Sequence, residues 1–92
     1  MKKELVFLTV IGKDKKGIVA AISNFLYKLN INIEDITQKV YGGYFVMTML
    51  VDVKDYRQSM NKLTGGLGEI EKKMNLKIQV QHENIFNTMH RI

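Results

Sequence analysis

The chain has no cysteine and no proline among its 92 residues. The first absence excludes disulfides, a thiol nucleophile and a zinc site built on thiolates. The second leaves glycine and asparagine to punctuate the fold. Histidine is confined to His82 and His90. On one helix these lie about two turns apart, too far to chelate a metal together, so no metal site is expected. The carboxylates Glu34 and Asp35 are adjacent, and on a strand they point to opposite faces, which makes a poor acid/base dyad. No Ser-His-Asp or Cys-His arrangement is available. The chain is therefore not expected to be an enzyme, and no catalytic residue or cofactor is assigned. Long apolar runs are missing too: none approaches the roughly 20 residues that span a bilayer. Met1-Lys2-Lys3 leads into a run too short and too β-like for a signal peptide. A cytoplasmic protein without a membrane partner is expected.

What is present is ordinary for one globular domain: 46% hydrophobic and 25% charged residues. A domain this small buries only about 60% of its unfolded surface, so a partner subunit adds to its stability. The formal net charge is +5, which brings nucleic acid and acidic small molecules into consideration. The lysines are dispersed, as a merely solubilising charge would be. Their densest group is Lys13, Lys15 and Lys16.

Periodicity gives the elements. Leu5–Ile11 is apolar on both alternating faces and predicts a central strand. Ile18, Val19, Ile22, Phe25, Leu26 and Leu29 recur at helical spacing. Asp14 is the expected N-cap of that helix and Asn30 its stop. A second strand is expected over Ile31–Tyr41, a Gly42-Gly43 hairpin after it, and a third strand over Tyr44–Val53. A helix is expected from Tyr56 to Met74, with Met60, Leu63, Leu67, Ile70 and Met74 on its apolar stripe. Gly65, Gly66 and Gly68 weaken it by about 1 kcal/mol each and suggest a kink or a close contact. Leu76–Gln81 is a fourth strand. In the tail, Ile85, Phe86, Met89 and Ile92 suggest a short amphipathic helix. The expected fold is α+β: a ferredoxin-like βαββαβ domain over residues 1–81, with a four-stranded antiparallel sheet and two helices on one face. Residues 82–92 add a C-terminal tail helix, within that domain or at an oligomer interface. Strands one and three are apolar on both faces, so the face away from the helices is expected to be covered by a second subunit, by the tail, or by both.

Other proteins of this topology are set aside on their residues. Copper chaperones need Cys-x-x-Cys. Acylphosphatase-like enzymes need an arginine-bearing phosphate loop, and the only arginines here are Arg57 and Arg91. RNA-recognition motifs stack bases on aromatics of strands one and three. Val6-Phe7-Leu8 and Gly43-Tyr44-Phe45-Val46 share part of that pattern, but its basic residue and Gly/Ala-Phe spacing are missing and Met49 replaces the last aromatic. Nucleic acid is therefore disfavoured.

The most informative stretch is Gly12-Lys13-Asp14-Lys15-Lys16-Gly17-Ile18, a glycine-bounded turn between strand one and helix one. Backbone N–H groups at a helix start have no partner in the helix and can receive a carboxylate or phosphate. Together with Ile22-Ser23 and Asn32-Ile33-Glu34-Asp35-Ile36, this Gly-x-Asp-x-x-Gly-Ile-Val pattern resembles the ACT domain, and the resemblance runs through nearly the whole chain. The tail Gln81–Ile92 looks like that of small free-standing ACT proteins, related to the ACT repeats of the glycine-cleavage regulator. The resemblance implies a regulatory module that binds an amino acid or small carboxylate and acts as a homodimer or higher oligomer, with its output passed to an effector protein. It places the ligand on Gly12, Asp14, Lys16, Gly17 and Ile18, with Asn32 and Ile33, at a subunit interface. The carboxylate would meet the N–H groups around Lys16, Gly17 and Ile18, and Asp14 or Asn32 would meet the ammonium. The alternatives are a ligand-free oligomerisation module and an RNA-binding domain.

Overall fold

A computed structural model describes residues 2–83 of the chain. Its elements run β1 (Leu5–Lys13), α1 (Ile18–Lys28), β2 (Asn32–Tyr41), β3 (Tyr44–Asp52), α2 (Met60–Met74) and β4 (Leu76–His82). Neighbouring strands are all antiparallel, in the order β2-β3-β1-β4. This is the ferredoxin-like βαββαβ fold that the periodicities predict, with β1 and β3 central and β2 and β4 at the edges.

Alternation along the central strands builds the core. Val6, Leu8 and Val10 of β1 and Phe45, Met47, Met49 and Val51 of β3 face the helices and are buried. They meet Ile18, Ile22 and Leu26 of α1 and Leu63 and Leu67 of α2. Burying each large aliphatic side chain stabilises the fold by about 1.5–3 kcal/mol.

Gly66 lies where the helices touch. A Cβ there would fall 2.2 Å from Phe25 Cζ, so the ring of α1 rests on the bare backbone of α2. That contact accounts for one of the three glycines in α2. Gly65 has open space around it and Gly68 has only Glu71 Oε1 at 3.9 Å.

Several boundaries differ from expectation. α2 starts at Met60, not Tyr56, because Ser59 is the N-cap and its Oγ accepts the Lys62 N–H at 3.2 Å. The Tyr56 hydroxyl, outside the helix, donates to the Ser59 carbonyl at 2.6 Å. Met60 consequently sits on the first turn and is exposed rather than in the core. His82 continues β4 instead of opening the tail. The tail helix expected over the rest of 82–92 otherwise lies outside the described residues, save Glu83, which is helical.

A cleft beside the first turn of helix one

The β1–α1 connection is positioned by contacts at both ends. β1 runs on to Lys13 because Gly12 admits β4: a Cβ there would lie 2.6 Å from Leu76 Cδ2. The Asp14 N–H then donates to the Gly43 carbonyl at 2.8 Å, tying the loop to the β2–β3 hairpin. The Lys15 ammonium donates to the Met74 carbonyl at 2.5 Å, at the C-terminal end of α2. The negative end of a helix favours a cation there.

Asp14 is not the N-cap. Helix α1 begins at Ile18, and its N-cap is Gly17, whose φ of 87 lies in the left-handed region that side chains disfavour. Asp14 is too far back along the chain to cap the first turn, and no side chain among the described residues does so. The N–H groups of that turn are left facing outward.

That turn lines a cleft of about 480 Å3 between α1 and β2. Asp14, Gly17 and Ile18 line one side, Gln38 and Val40 the other, with Phe45 between them. The cleft exists because β2 is an edge strand that α1 covers only in part and α2 does not contact. Val40 pairs with Phe45 and so faces the helix side, yet it is 56% exposed. Gln38, Val40 and Phe45 are among the lining residues that motif reading misses. Their signal was Val40, an apolar residue facing the helix side of an edge strand.

Of the residues expected to form one site, the structure brings Asp14, Gly17 and Ile18 together in the cleft. Gly12 packs against β4, and Lys16 is exposed in the loop. Asn32 and Ile33 lie elsewhere in the protomer. Gly12 is level with Phe45 and Asn32 with Asp52 along β3. At about 3.3 Å per residue that is roughly 23 Å, the length of the sheet. The reason is topological: β1 and β2 point the same way, so the start of β2 is opposite the end of β1.

Asn32 has a local role in the protomer. Its Nδ2 donates to Glu34 Oε2 at 2.6 Å, and Glu34 also pairs with Lys3. These bonds from Lys3 and Asn32 hold the Glu34 carboxyl below its ordinary range, and Glu34 raises the Lys3 ammonium. The register slips between Ile33 and Asp35, a bulge at Glu34. Nearby, the buried Asp52 accepts the Glu4 and Lys54 N–H groups, each at 3.0 Å. Burial pushes its carboxyl up, but the two backbone hydrogen bonds, helped by the Lys54 and Lys3 charges, outweigh burial and hold it low. No cluster of three or more metal-ligating side chains occurs among the described residues.

The fold and the loop motif agree with a comparison against known families, in which the ACT domain matches residues 4–81. The chain belongs to the ACT-domain family. A UPF0237 protein of Listeria monocytogenes is 44% identical over 85 residues, covering 92% of this chain and 96% of that protein. The solved ACT domain protein from Streptococcus pneumoniae superposes with a TM-score of 0.79 at 36% identity, covering 92% and 96% of the two chains. A formyltetrahydrofolate deformylase from Pseudomonas syringae shares the fold alone, with a TM-score of 0.81 at 19% identity over 89% of this chain and 28% of the enzyme. ACT domains are regulatory ligand-binding modules, so family membership points to regulation rather than catalysis. No helix among the described residues is long and apolar enough to cross a membrane.

Proposed function

We propose that this ACT domain senses a small carboxylate, best an amino acid, in the cleft beside α1, and that two subunits complete each site. The observation that carries this reading is the cleft itself, lined both by the start of α1, which has no side-chain cap, and by Asp14. The N–H groups suit a carboxylate and Asp14 suits an ammonium. An amino acid carries both, a few ångströms apart.

Edge strand β2 supplies the argument for a dimer. All but two residues of its Asn32–Tyr41 span are exposed, and its outer edge has no pairing strand among the described residues. A twofold axis near Thr37 pairs β2 antiparallel with its copy and sets Asp35 opposite the partner's Lys39. The same operation carries Asn32 of the partner subunit beside Tyr41 and Gly42, next to the hairpin that holds Asp14. Two ends of the sheet that are far apart in one chain thus meet across the axis. This arrangement accounts for Asn32 and Ile33 in the motif. Ligand bound between subunits favours the assembled state, and that linkage gives a regulator its output to an effector protein.

A thermal-shift screen over the twenty amino acids and simple carboxylates tests the reading. At least one amino acid raises Tm in a concentration-dependent way, and the corresponding simple amine does not. No shift with any of them at millimolar concentration contradicts it.

A further inference from the structure

The two helices leave a groove between them, about 440 Å3 in volume, that shares no lining residue with the cleft at the start of α1. Ala21 and Phe25 of α1 and Gly66 and Ile70 of α2 are half-buried and form its floor. Asn24, Lys28, Glu69 and Lys73 are exposed and form its rims. The groove stays open because Phe25 rests on Gly66, which has no side chain to fill the space between the helices. A second hollow over Glu69, Ile70, Lys72 and Lys73 continues it along α2.

The charge around the groove is nearly all of one sign. Lys28 and Lys73 line it, Lys72 adjoins it, and Lys62 stands one turn before Gly66 on the same side of α2. Glu69 is the single acid among them. None of these five residues forms an ion pair among the described residues. Glu71, the other acid of α2, is turned to β4, where it accepts the Ile78 N–H at 2.6 Å. Helix α1 carries no acid at all.

We infer that this groove docks an acidic amphipathic helix of a partner protein. The floor takes apolar anchors at helical spacing, and acids on the two flanks of the same helix meet the lysines of both rims. The lining runs from Ala21 to Lys28 on α1 and from Gly66 to Lys73 on α2, about 10 Å or two turns. Gly65 lies one turn before Glu69 and has open space beside it, so a partner's backbone can come close there. Charge decides the occupant. A second copy of this face sets lysine against lysine, and residues 84–92 carry Arg91 and no acid. The surface stands whether or not the cleft binds an amino acid.

Amide-shift NMR of the isotope-labelled full chain tests it. The probes are stapled helical peptides of about 14 residues, with leucines at helical spacing along one stripe and glutamates on both flanks. Shifts gather over residues 21–28 and 62–73, and binding weakens severalfold as salt rises from about 50 to about 300 mM. Lys28→Glu with Lys73→Glu, shown by circular dichroism to be folded, binds these peptides about tenfold or more weakly. It takes instead the same peptides with lysine in place of each glutamate. Lys28→Arg with Lys73→Arg binds as the wild type does. No localised shift with the glutamate peptides overturns the inference, and so does equal binding of the lysine peptides by the wild type. Co-sedimentation with phosphatidylglycerol vesicles, while the glutamate peptides bring no shift, also overturns it, because the lysines then read an anionic surface rather than a helix.

Discussion

Lys15 Nζ donates to the Met74 carbonyl oxygen, 2.5 Å away, so the β1–α1 loop is anchored on the C-terminal end of α2. The bond joins residues on either side of β2 and β3, and it holds the loop that presents the cleft. Lys15→Met keeps the alkyl stem and removes the charge. It lowers stability by about 0.3–1 kcal/mol, the range for a cation at an exposed helix C-terminus. It also speeds amide exchange at Gly17 and Ile18, which hydrogen-exchange NMR reads.

The glycines of α2 respond differently to alanine. Gly66→Ala drives a methyl into the Phe25 ring, 2.2 Å from Cζ, and costs about 1–3 kcal/mol. Gly65→Ala meets open space and gains about 0.5–1 kcal/mol from helix propensity. Urea denaturation of the two variants gives opposite signs. Two losses of equal size would remove Phe25 from the account.

The acid limb of stability belongs to Asp52 and Glu34. Both carboxyls are held below their ordinary range in the folded chain, Asp52 by the Glu4 and Lys54 N–H groups and Glu34 by Lys3 and Asn32. The unfolded chain takes up protons first as pH falls, so stability is full above the ordinary carboxylate range and declines below it. Urea midpoints measured from about pH 6 down to pH 3 show this fall. Asp52→Asn starts less stable near neutrality and falls less steeply, which halves or more the gap to wild type at the acid end.

Gly17 is required by its backbone rather than by crowding. Its φ is 87 and nothing lies within 4 Å of an added Cβ. Gly17→Ala costs about 1–2 kcal/mol, the penalty of a left-handed residue with a side chain. Gly17→Asn, which tolerates that conformation better, costs less. Thermal denaturation ranks the three proteins.

The architecture was legible because each signal was local. Alternating apolar residues gave β1 and β3, and helical spacing gave α1. Gly42-Gly43, at φ 51 and 86, gave the hairpin, and Asn30, at φ 63, the stop of α1. An aspartate before an apolar run is the usual signature of a cap, yet Asp14 does not cap α1. Here the chain spends the intervening residues on a turn and starts the helix from a left-handed glycine. Periodicity does not separate Tyr56 from α2, because only the Ser59 cap marks the true start. The separation of Asn32 from Asp14 follows from strand direction, which motif spacing does not carry. The cleft itself was invisible, since it depends on how far α1 covers an edge strand that α2 does not contact.

The central claim is that one site draws on two chains, and subunit mixing tests it most directly. Asp14→Lys spoils the loop side of both sites in a dimer, and Asn32→Ala spoils the other side. Neither variant alone binds the amino acid found by thermal shift. Co-refolded in equal amounts, mixed dimers carry one site with both halves intact, and isothermal titration recovers about a quarter of the wild-type capacity, as random pairing requires. Full binding by Asn32→Ala alone, or no recovery from the mixture, would contradict a site shared between subunits.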